Sequence, residues 1–204
     1  MAWCDPFVPD VLRKPFETIL DVGSGDGKAS LALHNAGRKV TSIDLTAPKN
    51  PYPWQHFVGD FMEWDFGRDT YDAVLASAII EHIQDTGAFL RKVRGLLRPD
   101  GWLFLFAPHY KSEIVGGHLH YWNTGLLMYN LILAGFDCLH GHFGWFGYLI
   151  AAFVQPTGVP LPPLVHDAGD IERLADHFPI PVWQGFEGDI ERVNWPPKQE
   201  AQDA

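Results

Sequence analysis

The sequence predicts a doubly wound α/β domain, with a mostly parallel sheet covered by helices on both faces. Three observations predict it. Short apolar runs alternate with segments that repeat apolar residues at helical spacing. A glycine-rich turn follows the first apolar run and opens the first repeat. The run Trp102–Ala107 is apolar at every position, as expected of a strand covered on both sides. The chain has 204 residues, 47% of them hydrophobic and 20% charged. That is one domain, with material left for an appendage.

The elements follow in order. Thr18 to Val22 is a buried strand stopped by glycines. Gly27 to Ala36 is a helix, with Leu31, Leu33 and Ala36 apolar and Gly37 as its stop. Lys39 to Leu45 is the second strand. Phe57 to Gly59 is a brief third, after a loop holding Pro48, Pro51 and Pro53. Tyr71 to Ser77 is the fourth. Phe89, Leu90, Val93, Leu96 and Leu97 mark a helix from Thr86 to Leu97, ended by a turn at Arg98-Pro99-Asp100-Gly101. Trp102 to Ala107 is the fifth strand. A long loop, Pro108 to Trp122, precedes a helix capped by Asn123 or Thr124 and closed by Gly135. Phe136 to Phe143 and Tyr148 to Val154 form a hairpin around Gly144-Trp145-Phe146-Gly147, which makes one edge antiparallel.

The composition changes at Gln155. Residues 1–155 read as the core and 156–204 as a proline-rich extension. Pro156, Pro160, Pro162 and Pro163 break regular structure, and a short helix is expected from Asp167 to His177. Trp183, Phe186 and Trp195 argue against disorder. The extension is expected to pack on the core or a second subunit, as in a homodimer, with only Lys198 to Ala204 loose.

Charge narrows the partners. Twenty-five acidic and fifteen basic residues give a formal net charge of −10. Phosphate backbones select basic surfaces, so nucleic acid is not an expected partner. A small molecule or a neutral glycan fits better. Cys4 and Cys138 are far apart and form no ligand motif, which points to a reducing, cytoplasmic setting. Met1 to Asp10 lacks the pattern of a signal peptide. The apolar run Phe143–Val154 is shorter than the roughly 20 residues of a spanning helix.

The most informative stretch is Asp21-Val22-Gly23-Ser24-Gly25-Asp26-Gly27. Glycines there allow a tight turn and close approach of a ligand to the main chain. A dinucleotide loop of the form G-x-G-x-x-G would have glycine at Lys28. Asp21 and Asp26 would also repel a pyrophosphate. They suit a ligand with a cationic end and no phosphate, such as S-adenosylmethionine. Asp44 ends the second strand, where a carboxylate can accept both ribose hydroxyls. Asp60-Phe61 offers a carboxylate for an adenine amino group and a ring for its face.

With Tyr71-Asp72-Ala73-Val74, Glu81-His82-Ile83 and Leu96-Leu97-Arg98-Pro99-Asp100-Gly101, these blocks resemble the class I S-adenosylmethionine-dependent methyltransferases over residues 17 to 154. The resemblance implies a Rossmann-like sheet of seven strands, ordered 3-2-1-4-5-7-6 with strand 7 antiparallel. It implies cofactor contacts from Asp21, Gly23, Ser24, Gly25, Gly27, Asp44, Leu45, Asp60 and Phe61. Ser77 would add a backbone contact to the methionine end.

Methyl transfer from a sulfonium is a displacement. The protein must align the acceptor and, for a hydroxyl, help remove its proton. His109, His118, His120, His140 and His142 fall between Pro108 and Phe143. Neutral imidazole is the natural base near neutral pH. His109, leaving the fifth strand, is the first choice, followed by His118 and His120. The pairs His118/His120 and His140/His142 raise a metal, with Glu113 as the nearest carboxylate, yet this spacing is unspecific and no metal is expected. Tyr110, Tyr121, Trp122 and Trp145, with Phe146 and Tyr148, would form an aromatic wall suited to a sugar ring or a flat acceptor. O-methylation of a saccharide or other small polar hydroxyl compound is the favoured reading. N- or C-methylation of a small metabolite, a non-catalytic cofactor-binding module and a dinucleotide oxidoreductase are the alternatives.

Overall fold

The computed structural model describes residues 4–195. Strands β1 (Thr18–Val22), β2 (Lys39–Asp44), β3 (Gln55–Val58), β4 (Tyr71–Ser77), β5 (Leu97–Pro108), β6 (Phe136–Phe146), β7 (Leu149–Pro156) and β8 (Arg192–Val193) form one sheet. Their order is β3-β2-β1-β4-β5-β7-β6-β8. The first five strands run parallel, and β7 is antiparallel to β5 and β6. This is the expected seven-strand order with an eighth strand added beyond β6.

The alternation of side chains along each strand builds two cores. Leu20, Val74, Ala76, Leu103 and Leu105 face one side, with α3 (Thr86–Leu96) and α4 (Thr124–Leu133). Ile19, Ala73, Leu75, Phe104 and Phe106 face the other, with α1 (Val8–Leu12) and α2 (Lys28–Asn35). Capping fixes where the helices start. Asp85 accepts from the Ala88 N–H at 2.8 Å, and Asn123 accepts from the Leu126 N–H at 2.8 Å. Each such cap contributes on the order of 1 kcal/mol.

Four boundaries differ from the sequence expectation. The strand β5 begins at Leu97, directly after α3, and a register shift lies between Tyr71 and Ala73 of β4. Arg98 there pairs with Asp72, whose other oxygen accepts from the Thr18 N–H and hydroxyl. The predicted turn at 98–101 is therefore tied into the sheet. The hairpin closes over only Gly147 and Tyr148, with Gly147 at φ +67°, so β6 continues through Trp145 and Phe146. The expected helix at 167–177 is split into α5 (Asp170–Arg173) and a 3-10 turn at Ala175–His177. The buried Asp170 carboxylate holds the helix start at 170 by accepting from the Val165 and His166 N–H groups of the preceding loop while bonding Arg173.

The fourth is β8, which has no strand signature in the sequence. It pairs Arg192 and Val193 with Gly144 and Phe143. Trp195 then packs on Phe153, Phe146 and Phe7, with centroids 4.7, 5.3 and 6.0 Å away. Leu174 and Phe178 are also buried. Trp183 is not: it is 57% exposed. The expected loose end, Lys198 to Ala204, lies outside the described residues. Among the described residues no helix is long and apolar enough to cross a membrane.

Candidate active site

All five parallel strands end at the same edge of the sheet, where ligands of open α/β sheets bind. The loop after β1 is built for close approach. Gly23, Gly25 and Gly27 have φ of +73°, +54° and +72°. A Cβ at Gly23 would meet Ile79 at 2.8 Å, and one at Gly27 would meet the Tyr52 ring at 2.6 Å. A Cβ at Gly25 would meet nothing within 4 Å; it points into open space. Ser24 Oγ is buried and has no partner.

Asp21 lies beneath this loop, 2% exposed, and accepts from the Ser30 hydroxyl at 2.6 Å. Burial pushes its carboxyl up to about 6; the Ser30 bond opposes this and nearby Asp44 adds to it. Asp44 accepts from the Gly25 N–H at 2.9 Å and from the Thr46 N–H and hydroxyl at 3.0 and 2.8 Å. It ties the glycine loop to the end of β2. Leu45 beside it is 72% exposed. Asp60, exposed after β3, accepts from the Met62 N–H at 2.8 Å. Ser77 ends β4 and hydrogen-bonds the Cys4 thiol, whose pKa is raised to about 11, chiefly by burial.

The structure corrects one expectation here. The Phe61 ring does not face the cleft. It is 4% exposed in the core, with centroids 5.4 Å from Phe89 and 5.8 Å from Phe66. An aromatic side chain with core neighbours on hand gains more by burial than by waiting for a ligand.

Beyond the end of β5 lies a small pocket of about 10 Å³, lined by His109, His118, His120, Tyr110, Tyr121 and Tyr148. All three expected histidines reach it. His109 is buried, and its Nε2 lies 3.0 Å from Asp189 Oδ1. Its Nδ1 is 3.3 Å from the Tyr110 carbonyl, and its ring stacks on Trp145 at 4.2 Å and 13°. His118 meets the His82 ring edge to face at 5.1 Å. Its pKa is lowered by burial, with His82 and Lys111 adding to the effect. His120 Nε2 lies 3.3 Å from the Gln84 carbonyl.

The His-x-His pairs do not act as pairs. His140 bonds Asp137 at 2.8 Å, whereas His142 bonds Lys14 at 2.7 Å and the Asn194 carbonyl. His118 and His120 lie on a loop rather than a strand, so no pleat aligns their rings. The aromatic wall is also smaller than expected. Trp122 is buried, Trp145 is covered by His109, and Phe146 packs on Phe7 and Trp195. Tyr110 and Tyr121 remain open, 53% and 48% exposed.

A family model described as a methyltransferase domain matches residues 3–131. The chain belongs to that family. Its fold is the Rossmann-like fold of class I methyltransferases. An uncharacterized methyltransferase of Mycobacterium bovis is 33% identical over 97 residues, covering 43% of this chain and 48% of that one. A ubiquinone biosynthesis O-methyltransferase of Caulobacter vibrioides is 32% identical over 106 residues, covering 46% and 42%. The methyltransferase chain thus matches a little under half the length of these relatives. Among solved structures, the 1,6-didemethyltoxoflavin-N1-methyltransferase of Burkholderia thailandensis, crystallised with its substrate and S-adenosylhomocysteine, superposes with a TM-score of 0.63. It is 19% identical, with 74% of this chain and 76% of that one covered.

Sequence reading missed Asp189. It stands 80 positions from His109, in the proline-rich extension, where no local pattern marks it. It also missed the convergence of His118 on Glu81 and His82 of the methyltransferase. The sequence placed both in loops without showing that the loops meet.

Proposed function

We propose that this chain transfers a methyl group from S-adenosylmethionine to a hydroxyl of a small, neutral, polar ring compound. The family supports the reaction class, and the observation that carries the hydroxyl is the His109–Asp189 pair. An acceptor that must lose a proton needs a held base, and an unprotonated amine needs one far less.

The residues present fit the cofactor. Its ammonium group would meet Asp21, where a cation offsets the cost of a buried carboxylate. The orphaned Ser24 hydroxyl and the open face of Gly25 would receive the methionine carboxylate. Asp44 would exchange its bonds to Gly25 and Thr46 for ribose hydroxyls, and Leu45 would offer an apolar face to adenine. Asp60 would accept from the adenine amino group. Phe61, Gly23, Gly27 and Ser77 would serve through backbone and shape. When bound, the cofactor supplies a methyl on a sulfonium, which is already a good leaving group.

The chain's own work is positional and acid–base. His109 faces an acceptor at both ring nitrogens, so with Nε2–H held by Asp189, Nδ1 would be free to take a proton only once its 3.3 Å contact with the Tyr110 carbonyl opens toward the acceptor. The residue's part would be to take the acceptor hydroxyl's proton on Nδ1 while the cofactor's sulfonium gives up its methyl and leaves as S-adenosylhomocysteine. The Asp189 carboxylate would balance the imidazolium charge, and the Tyr110 carbonyl would accept the Nδ1–H again once the product leaves. Trp145 fixes the ring plane. Tyr110 and Tyr121 give a sugar ring or a phenol its aromatic face. The net charge of −10 disfavours anionic acceptors, and a saccharide is our first choice.

The test is transfer of labelled methyl from S-adenosylmethionine to matched panels of sugars, phenols and amines. Labelled methyl ethers from sugars support the full reading, and labelled phenol ethers support the hydroxyl while overturning the sugar. Labelled amines with no labelled ether overturn both. The amine outcome would align the chain with the N-methyltransferase it superposes on.

A further inference from the structure

We infer that Glu81, His82 and His118 form a binding site for one divalent first-row cation of the zinc class. The inference is independent of the methyl-acceptor reading, because it rests on these side chains alone. Glu81 and His82 lie on a 3-10 turn, Ile80–His82, just after β4. His118 comes from the long loop after β5. One ligand atom of each lies within 4.8 Å of the other two.

Three independent features point to an ion. The first is Glu81. Its side chain is 1% exposed, and its Oε2 is fully buried with no hydrogen-bond partner. A buried polar atom left unpaired costs about 1–3 kcal/mol, more when charged, so such atoms are rare without a role. The second is the tautomer of His82. Its Nδ1 lies 2.7 Å from the Gly117 carbonyl, an acceptor only, so Nδ1 carries the hydrogen. The lone pair is therefore on Nε2, which is turned toward Glu81 Oε1 at 3.8 Å. That is too long for a hydrogen bond. A histidine that donates one ring N–H to a backbone carbonyl and presents the other nitrogen is the usual arrangement of a metal ligand. The third is His118, whose ring meets the His82 ring nearly at right angles with centroids 5.1 Å apart and which brings a second imidazole nitrogen within 4.8 Å of the other two ligand atoms.

The spacing needs little change. Ligand bonds of about 2.0–2.2 Å at tetrahedral angles place ligand atoms about 3.3–3.6 Å apart. The 3.8 Å between Glu81 and His82 and the bound of 4.8 Å on all three separations close to that by small rotations of the exposed His82 ring and of His118 on its loop. Two imidazoles and a carboxylate select zinc and its first-row neighbours over magnesium or calcium, which prefer all-oxygen shells. The backbone already joins the two segments, since the Leu119 N–H donates to the Glu81 carbonyl at 2.8 Å. An ion would lock the loop further. Three protein ligands leave a fourth position, which suits water or another oxygen ligand.

The experiment is a zinc titration of chelator-stripped full-length protein against a chromophoric competitor. The expected result is one equivalent bound by the wild type. His118→Ala and Glu81→Gln should each weaken binding at least tenfold. His140→Ala, whose histidine bonds only Asp137 at the surface, should bind as the wild type does. His118 is a loop residue, so that variant keeps the fold even if Glu81→Gln does not. Substitution with cobalt should give a visible band that His118→Ala abolishes. Wild-type binding no tighter than that of His118→Ala would overturn the site. So would equal losses in His118→Ala and His140→Ala. S-adenosylhomocysteine affinity is measured on the same samples. Zinc binding without it supports the ion site while refuting the cofactor reading.

Discussion

The two ends of the cleft are built in opposite ways. The glycine-loop end comes from residues close in sequence: Asp21 to Ser30, with Asp44 reaching 19 positions back to the Gly25 N–H. The histidine end is assembled from remote pieces. His109 meets Asp189 across 80 positions, and His82 meets the Gly117 carbonyl across 35. A site made by backbone conformation writes itself into local sequence, because only glycine tolerates those dihedrals cheaply. A site made by side chains on separate loops depends on how those loops pack. The same contrast predicts that substitutions at the two ends separate cofactor binding from turnover.

The largest effect is expected at the remote end. His109→Ala should lower turnover by about 10²–10⁴-fold, the usual contribution of a positioned base. Affinity for S-adenosylhomocysteine should not change. Steady-state kinetics with calorimetry reads both, and a loss of affinity equal to the loss of rate would erase the distinction between the two ends. At the local end, Gly25→Val should abolish cofactor binding. The new side chain projects into the open space above the loop, so the fold is spared apart from the strain of a branched residue at φ +54°. A wild-type affinity would show that the ligand does not approach this loop.

Asp21 sharpens the comparison through pH. Its pKa is about 6 in the fold against 3.8 when unfolded, so the folded state holds more protons between those values. Below about pH 4 the group is protonated in both states and has no effect. Above pH 6 it is ionised in both, and burial of the charge costs the fold about 3 kcal/mol at most, at about 1.4 kcal/mol per tenfold change in acidity. Asp21→Asn should therefore stabilise the unliganded protein at pH 8 and give no gain near pH 4, while weakening cofactor binding. Thermal melts at the two pH values check this; equal gains at both would contradict it. The smallest effect is expected from Asp189→Asn, which keeps the shape and removes the charge. Turnover should fall by about tenfold, less than in His109→Ala, because the ring stays stacked on Trp145. A rate equal to the wild type would make Asp189 a surface contact only.

Much of the fold was legible for the reason that made the glycine loop legible. The bounds of β1 and β4 can be read from apolar runs, and Asn123 and Gly135 mark the ends of α4. Three features could not be read. The two-residue turn at Gly147-Tyr148 depends on strand pairing rather than on the four-residue Gly144–Gly147 pattern. The strand β8 is two residues long and exists because β6 offers an edge. The Phe61 ring followed the core instead of the cleft, a choice set by Phe66 and by Phe89, which the folded chain brings near. For β8 and for the Phe61–Phe89 contact the deciding partner is distant in sequence, as Asp189 is for His109.

The central claim is that the two ends have separate tasks, and one calorimetric series tests it most directly. Wild type, Asp44→Ala and His109→Ala are titrated with S-adenosylhomocysteine, which needs no knowledge of the acceptor. The account predicts binding by the wild type, an affinity unchanged in His109→Ala, and a loss of about 1–3 kcal/mol in Asp44→Ala from missing hydrogen bonds to a charged acceptor. No binding by the wild type, or equal affinities in wild type and Asp44→Ala, would contradict it.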